Sequence, residues 1–255
     1  MRLTNLVYTF AMVVTGMLVT GCYFKTIDNF RLEVSEAPEV YGINRNLDKH
    51  SDIHRFHGRI GIEPEESIYL DIPEWTDSLN NPQGMITKGI YDFGGFRFEC
   101  GWDVFYKWDL FVLGFGATIS DDLHHHVSLG INTKYFEIGF FMGFFHQYSL
   151  LSYKDNDFNR TDIVKHFTET SLFEGMYVAL FFGDMFLNYS FSKYTPGFRS
   201  AAISNPIPSI GTHYITLGYR FKDAYEIVGG AIISVVEDKQ HTGAGLSVNF
   251  YPFEI

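Results

Sequence analysis

From residue 66 to its end the chain alternates apolar and polar side chains with a period near two, the spacing that puts one residue type on each face of a β-strand. Phe96, Phe98, Cys100 and Trp102 share one face, and Arg97, Glu99, Gly101 and Asp103 share the other. Leu123, His125, Val127, Leu129 and Ile131 alternate in the same way with His124, His126, Ser128, Gly130 and Asn132. The pattern returns in residues 212–221 and again in 244–251. Gly114, Gly116, Gly130, Gly139, Gly143, Gly175, Gly218, Gly230 and Gly245 fall largely opposite the bulky apolar residues, and small residues on one face suit a tightly curved sheet with a narrow interior.

Strands are expected over 66–72, 89–102, 108–119, 123–132, 134–149, 168–183, 184–194, 210–221, 224–236 and 241–252. The expected connections are tight turns at 103–107, 132–134, Gly183-Asp184 and Lys222-Asp223, and long loops at 73–88, 150–167 and 195–209. Short turns at one end and longer loops at the other are the pattern of a transmembrane barrel. The predicted fold is all-β, an antiparallel transmembrane β-barrel of about ten strands, with eight as the alternative count, preceded by a short extramembrane segment. Segments near ten residues match the tilted length that crosses a bilayer, and a closed wall leaves no backbone group unpaired in lipid. The 26 Phe, 16 Tyr and 3 Trp suit a lipid-facing band. Two strands strain the pattern: residues 140–145 put bulky groups on both faces, and Glu174 shares a face with Leu172, Met176 and Val178, so a bulge or an extension beyond the bilayer is expected there. The C-terminal residues 249–255, Asn-Phe-Tyr-Pro-Phe-Glu-Ile, resemble the aromatic final strand of bacterial outer-membrane barrels but lack its terminal aromatic. A lipid-anchored soluble β protein of the periplasm is the alternative placement.

Residues 1–22 read as an export signal: Arg2 precedes an apolar stretch, Leu6 to Val19, that is too short to span a bilayer as a helix. Leu18-Val19-Thr20-Gly21-Cys22 resembles the bacterial lipobox, which implies acylation of Cys22 and, with Tyr23 following, placement at the outer membrane. Cys100 is then the one remaining thiol, which excludes an intramolecular disulfide. Residues 23–65 read as a periplasmic extension or linker, and 66–255 as the barrel. His50, His54 and His57 would share one face of a helix, but no apolar stripe accompanies them, and solvated histidines are the better reading.

With 19 basic against 30 acidic residues and a net charge of −11, nucleic-acid binding is not expected. The sharpest chemical cluster is His124-His125-His126-Val127-Ser128, in which His126 and Ser128 share a polar face. Its His-x-Ser element resembles that of outer-membrane lipid A deacylases, which implies Glu137 on the next strand as orienting acid and an acyl chain as substrate. The sequence departs from that family at Leu129, where an Asn follows the serine. His124 and His126 alone are too few for a metal, and no cofactor is expected. Arg97, Glu99, Glu137, Arg220 and Glu226 would be costly in hydrocarbon and are expected inside, paired, as a salt-bridged plug. A structural or surface-binding role is therefore preferred. Its expected partners are outer-membrane lipid and an extracellular ligand or protein, met by loops carrying Trp75, Tyr153, Phe158, Arg160 and Phe198. A narrow channel for small solutes and a lipid-active acyl hydrolase are the alternatives.

Overall fold

The computed structural model describes residues 27–33, 35–46, 50–71, 88–120, 122–155, 160–195, 208–221 and 224–252. Eleven strands form: β1 (Ile27–Glu33), β2 (Ser51–Asp71), β3 (Lys88–Trp108), β4 (Phe111–Ile119), β5 (Leu123–Asn132), β6 (Phe136–Asp155), β7 (Arg160–Phe182), β8 (Met185–Tyr194), β9 (Ile210–Phe221), β10 (Tyr225–Val236) and β11 (Lys239–Phe250). β2 to β11 each pair antiparallel with the next in sequence, and β11 returns to β2, which closes a ten-stranded barrel. Two-residue turns join β3 to β4, β7 to β8 and β10 to β11, where Asp109, Gly183 and Glu237 adopt the positive φ that lets such a turn follow the strand twist.

The outer surface of the wall is apolar. Phe96, Trp102, Phe115, Leu129, Phe140, Leu217 and Leu246 all point outward and are exposed. Aromatic side chains gather where the two-residue β3–β4 and β7–β8 turns lie, among them Trp108, Phe111, Tyr135, Phe182, Phe221, Tyr225 and Phe250. Nearer the opposite rim the outer face carries His125, His146, Glu174 and Lys193, and the Tyr189 hydroxyl lies 2.9 Å from His213 Nδ1. Inward positions are polar instead: β5 alternates along its whole length, with His124, His126, Ser128 and Asn132 buried. An apolar exterior around a polar interior inverts a soluble protein and is the design of a barrel that spans a membrane.

The wall is longer than expected and starts earlier. The boundary placed at residue 65 moves to Ser51, because Arg55, His57 and Arg59 alternate with outward Phe56, Ile60 and Ile62 in full register against β3. The strand conformation also removes the helical histidine face: His54 stacks outside on Trp102, while the His57 ring reaches Asp103 in the lumen. No turn forms at 103–107. Asp103, Phe105 and Lys107 point inward in β3, and Asp103 and Lys107 give the stretch the polarity of a turn. The loop expected at 150–167 is mostly strand, since β6 runs to Asp155 and β7 starts at Arg160, which puts Tyr153 and Arg160 in the wall. The loop at 73–87, most of that at 195–209, and Trp75, Phe158, Phe198 and the Lys222-Asp223 turn lie outside the described residues, as does the signal with Cys22.

Neither strained stretch contains a bulge. Phe140, Met142 and Phe144 face out while Phe141 and Phe145 point inside; Phe141 occupies the space beside Gly175, Phe173 that beside Gly143, and Phe145 stands in register with Ser171. Glu174 simply faces outward, in register with Lys193. Register shifts occur instead at Tyr153/Asp155 near the upper end of β6, at Ile27/Asn29 in β1, and in β2, where Pro64 and Glu65 sit between Glu63 and Glu66, opposite Gly94 and Gly95 at positive φ. A strand proline without an amide hydrogen belongs at such a bulge. The shift switches the inward parity of β2, so Ile68 replaces charged residues on the inner face.

β1 enters the wall in an unusual way. The β4–β5 hairpin stops at residues 119–123, while β3 and β6 continue past it with unpaired edges. β1 fills that gap, parallel to β3 and antiparallel to β6. Covering two exposed edges at once removes the unpaired donors and acceptors that invite non-native pairing.

Candidate functional site

The segment that follows β1 does not lie outside the barrel. Residues 35–46 run through the lumen from the rim carrying the long loops to the rim where β2 begins, and Glu36, Ala37, Val40, Ile43, Asn44 and Arg45 are buried there. The extramembrane segment expected before the wall is therefore an internal plug. Its backbone is irregular, so the wall has to supply its hydrogen bonds.

Those bonds follow the chain in order. At the long-loop rim Ser35 donates to Asp122 and its carbonyl accepts from the Tyr194 hydroxyl at 2.6 Å. Ala37 N–H donates to Thr212 Oγ1 at 3.1 Å, and Ser190 donates to the Val40 carbonyl at 2.6 Å. Arg55 donates to the Tyr41 and Gly42 carbonyls. Glu137 accepts from Ile43 N–H at 3.1 Å, Arg220 donates to the Asn44 carbonyl at 2.6 Å, and Asn132 donates to the Arg45 carbonyl at 2.7 Å.

Charge is complementary as well as hydrogen bonding. In the upper lumen Glu36 and Glu39 of the plug meet Arg59 of β2, with Arg59 Nη1 3.1 Å from Glu39 and 3.3 Å from Glu99, and Arg97 Nη1 is 3.7 Å from Glu36. At mid-lumen Arg55 is 2% exposed and donates from Nε to Asp103 Oδ2 at 2.9 Å. Its guanidinium also lies 4.2 Å from the Tyr41 ring centre, joining plug and wall in one contact. In the lower lumen Arg220 pairs with Glu226 at 3.4 Å, and Glu226 accepts from Asn249 and Tyr251. All five ionisable residues expected inside are inside, and their partners include the plug.

Glycine sets how closely plug and wall approach. A Cβ on Gly42 would collide with the Glu137 carboxylate and lie 2.7 Å from the Tyr177 ring, so no larger residue fits where the plug passes β6 and β7. A void of about 10 Å³ lies among Glu39, Tyr41, Arg55, His57, Asp103 and His126, room for about one water.

The residues singled out for catalysis do not converge as one set. His126 and Ser128 share the lumen face of β5, two residues apart. The His126 ring makes no hydrogen bond, and its nearest carboxylate is Asp103, with Nε2 3.7 Å from Oδ1. Glu137 stands in register with Asn132, whereas His126 stands opposite Gly143, six residues further along β6, a separation of about 20 Å along the strand. Glu137 is engaged by Ile43, Asn132 and Tyr177, the last at 3.1 Å, and so anchors the plug. Among the described residues no three potential ligands gather as a metal site. Sequence reasoning missed Arg55, Arg59 and the plug itself, and it placed Asp103 on the polar face without a role. The two arginines could have been found by extending the alternation back to residue 53.

No protein-family model and no curated sequence matches this chain. Among solved structures it is similar to the N-terminal β-barrel domain of Pseudomonas aeruginosa OprF, at 10% identity over 79% of this chain and 98% of that one, with a TM-score of 0.31. The translocator domain of autotransporter NalP from Neisseria meningitidis is similar at 8% identity over 80% and 89%, TM-score 0.33. The Ralstonia pickettii toluene transporter TbuX is similar at 8% over 80% and 90%, TM-score 0.30. Likeness at this level carries no argument, and the transmembrane barrel stands on its own closure, its apolar exterior and its charged, plugged interior.

Proposed function

We propose that this chain is an exported bacterial outer-membrane barrel, lipid-anchored at Cys22, with a structural or surface-binding role in which its long-loop rim meets an extracellular ligand or partner protein. The observation that carries this reading is the plug. Residues 35–46 fill the lumen, and wall side chains hydrogen-bond their backbone at eight of these twelve residues, from Ser35 to Arg45. A ten-stranded lumen is narrow to begin with, and a seated plug narrows it further. The partner surface that remains is the outer band, which suits membrane lipid, together with the rim above it.

The test is electrical. The intact protein, purified in detergent and reconstituted in planar bilayers, should give no sustained single-channel conductance. Steady conductance from the intact chain would overturn the closed-barrel reading and favour a narrow channel. Release of the protein from membranes without detergent, once residues 1–22 are removed, would overturn the membrane placement.

A further inference from the structure

We infer that the chain is threaded through its own barrel, entering with Ile27 at the long-loop rim and leaving at the rim where β2 starts and β11 ends, so that chain reach confines Cys22 to the long-loop side of the membrane. That this rim faces the cell exterior rests on the outer-membrane reading above; the threading itself does not.

Two independent sets of contacts carry it. β1 runs parallel to β3, with Asn29 opposite Lys88, the first residue of β3 at the long-loop rim, and Glu33 opposite Asp92 further down. The plug then continues the same way: Ser35 meets Asp122 and Tyr194 near the long-loop rim, Val40 meets Ser190 at mid-height, and Asn44 meets Arg220 near the other end. Both stretches, 27–33 and 35–45, descend in the same direction, and β2 climbs back outside them from Ser51.

The consequence for Cys22 is geometric. Five residue steps separate it from Ile27, a reach of at most about 18 Å. The 21 residues of β3 cover about 50 Å of height at ordinary strand rise and tilt. Cys22 therefore cannot return to the short-turn rim. An acyl group on that cysteine belongs on the long-loop side of the membrane, whereas a plain periplasmic linker would have put it on the other.

Epitope insertion in the full chain tests this. One tag goes between Phe24 and Lys25, one between Asn80 and Asn81 in the β2–β3 loop, and one after Ile255. Antibody binding is then compared on intact and permeabilised cells of a Gram-negative host. The first two tags should be bound equally before and after permeabilisation, and the third only after it. A loop tag bound on intact cells with the Phe24 tag hidden would overturn the threading alone. Both hidden would overturn the outer-membrane reading and this inference with it.

A second measurement needs no insertion. In a Cys100→Ser background, Ala37→Cys with Thr212→Cys should close an oxidant-dependent crosslink in the folded protein, seen as a mobility shift lost on reduction. Folded protein with no such crosslink would overturn the descending path.

Discussion

Wall and plug solve the same problem in opposite ways. In the wall the backbone satisfies itself through ladders such as the twelve register pairs between β10 and β11, which leaves side chains free to sort by face. In the plug the backbone has no ladder, and Tyr194, Thr212, Ser190, Arg55, Glu137, Arg220 and Asn132 complete it one group at a time. The wall therefore tolerates many outward substitutions of similar polarity. The plug depends on individual side chains, because an unpaired buried carbonyl or amide costs more than a lost contact. The contrast also explains the inner polarity of the barrel: much of what resembles a pore lining is a binding surface for the chain's own N-terminal segment.

The contrast breaks most severely at Arg55. Arg55→Ala leaves the Asp103 carboxylate with His57 as its hydrogen-bond partner and strands two plug carbonyls at mid-lumen, and breaking a buried pair from one side costs about 3–5 kcal/mol. The expected result is a large drop in the urea midpoint of the barrel in detergent, with conductance appearing in bilayers as the plug loosens. Arg55→Ala with Asp103→Ala should lose less than the sum of the two single changes, since the stranded charge is gone. Strict additivity would mean that the pair does not hold the plug.

Val127→Arg attacks the wall instead. Val127 faces outward at the middle of β5, and an arginine on the lipid face near the bilayer midplane costs about 2–4 kcal/mol. Refolding yield into lipid vesicles should fall while the plug of the molecules that do fold stays protected from protease. Equal refolding of both forms would argue that this face does not meet lipid. Gly42→Val is the converse experiment, expected at about 1–3 kcal/mol for overpacking. Its added carbons meet Glu137 and Tyr177, so the plug should become protease-sensitive while heat-dependent gel mobility still reports a closed wall.

Legibility in the sequence divides along the same line. The strands 123–132 and 210–221 match β5 and β9, because a period of two survives wherever one face is apolar and the other polar. Alternation also runs from Ile53 to Glu63, yet the spacing of His50, His54 and His57 suggested a helix and hid it. The plug has no period at all, since an irregular backbone repeats no side-chain direction, and Pro38 with scattered charges reads as a linker. Its partners were visible only as polar residues on the inner face. The roles of His126, Ser128 and Glu137 turned on register. Adjacency of strands was correct, but Glu137 pairs with Asn132 near the end of β5, and its carboxylate is taken by Ile43 N–H.

The smallest expected effect sharpens where the plug is held. Tyr194→Phe removes the hydroxyl that donates to the Ser35 carbonyl at 2.6 Å and leaves the ring edge-on to Phe145, with centroids 5.0 Å apart. Ser35 is only part-buried at the rim, so water can replace the lost donor, and the cost should be about 1 kcal/mol or less. The urea midpoint should shift slightly and bilayers should stay silent. Arg55 sits deep in the lumen, where the adjoining void has room for about one water and no bulk solvent replaces its three hydrogen bonds, so the ratio of the two effects measures how far the grip is concentrated at mid-lumen. A Tyr194→Phe loss as large as that of Arg55→Ala would mean that the plug is held from its rim, with the buried charges merely filling the space beneath.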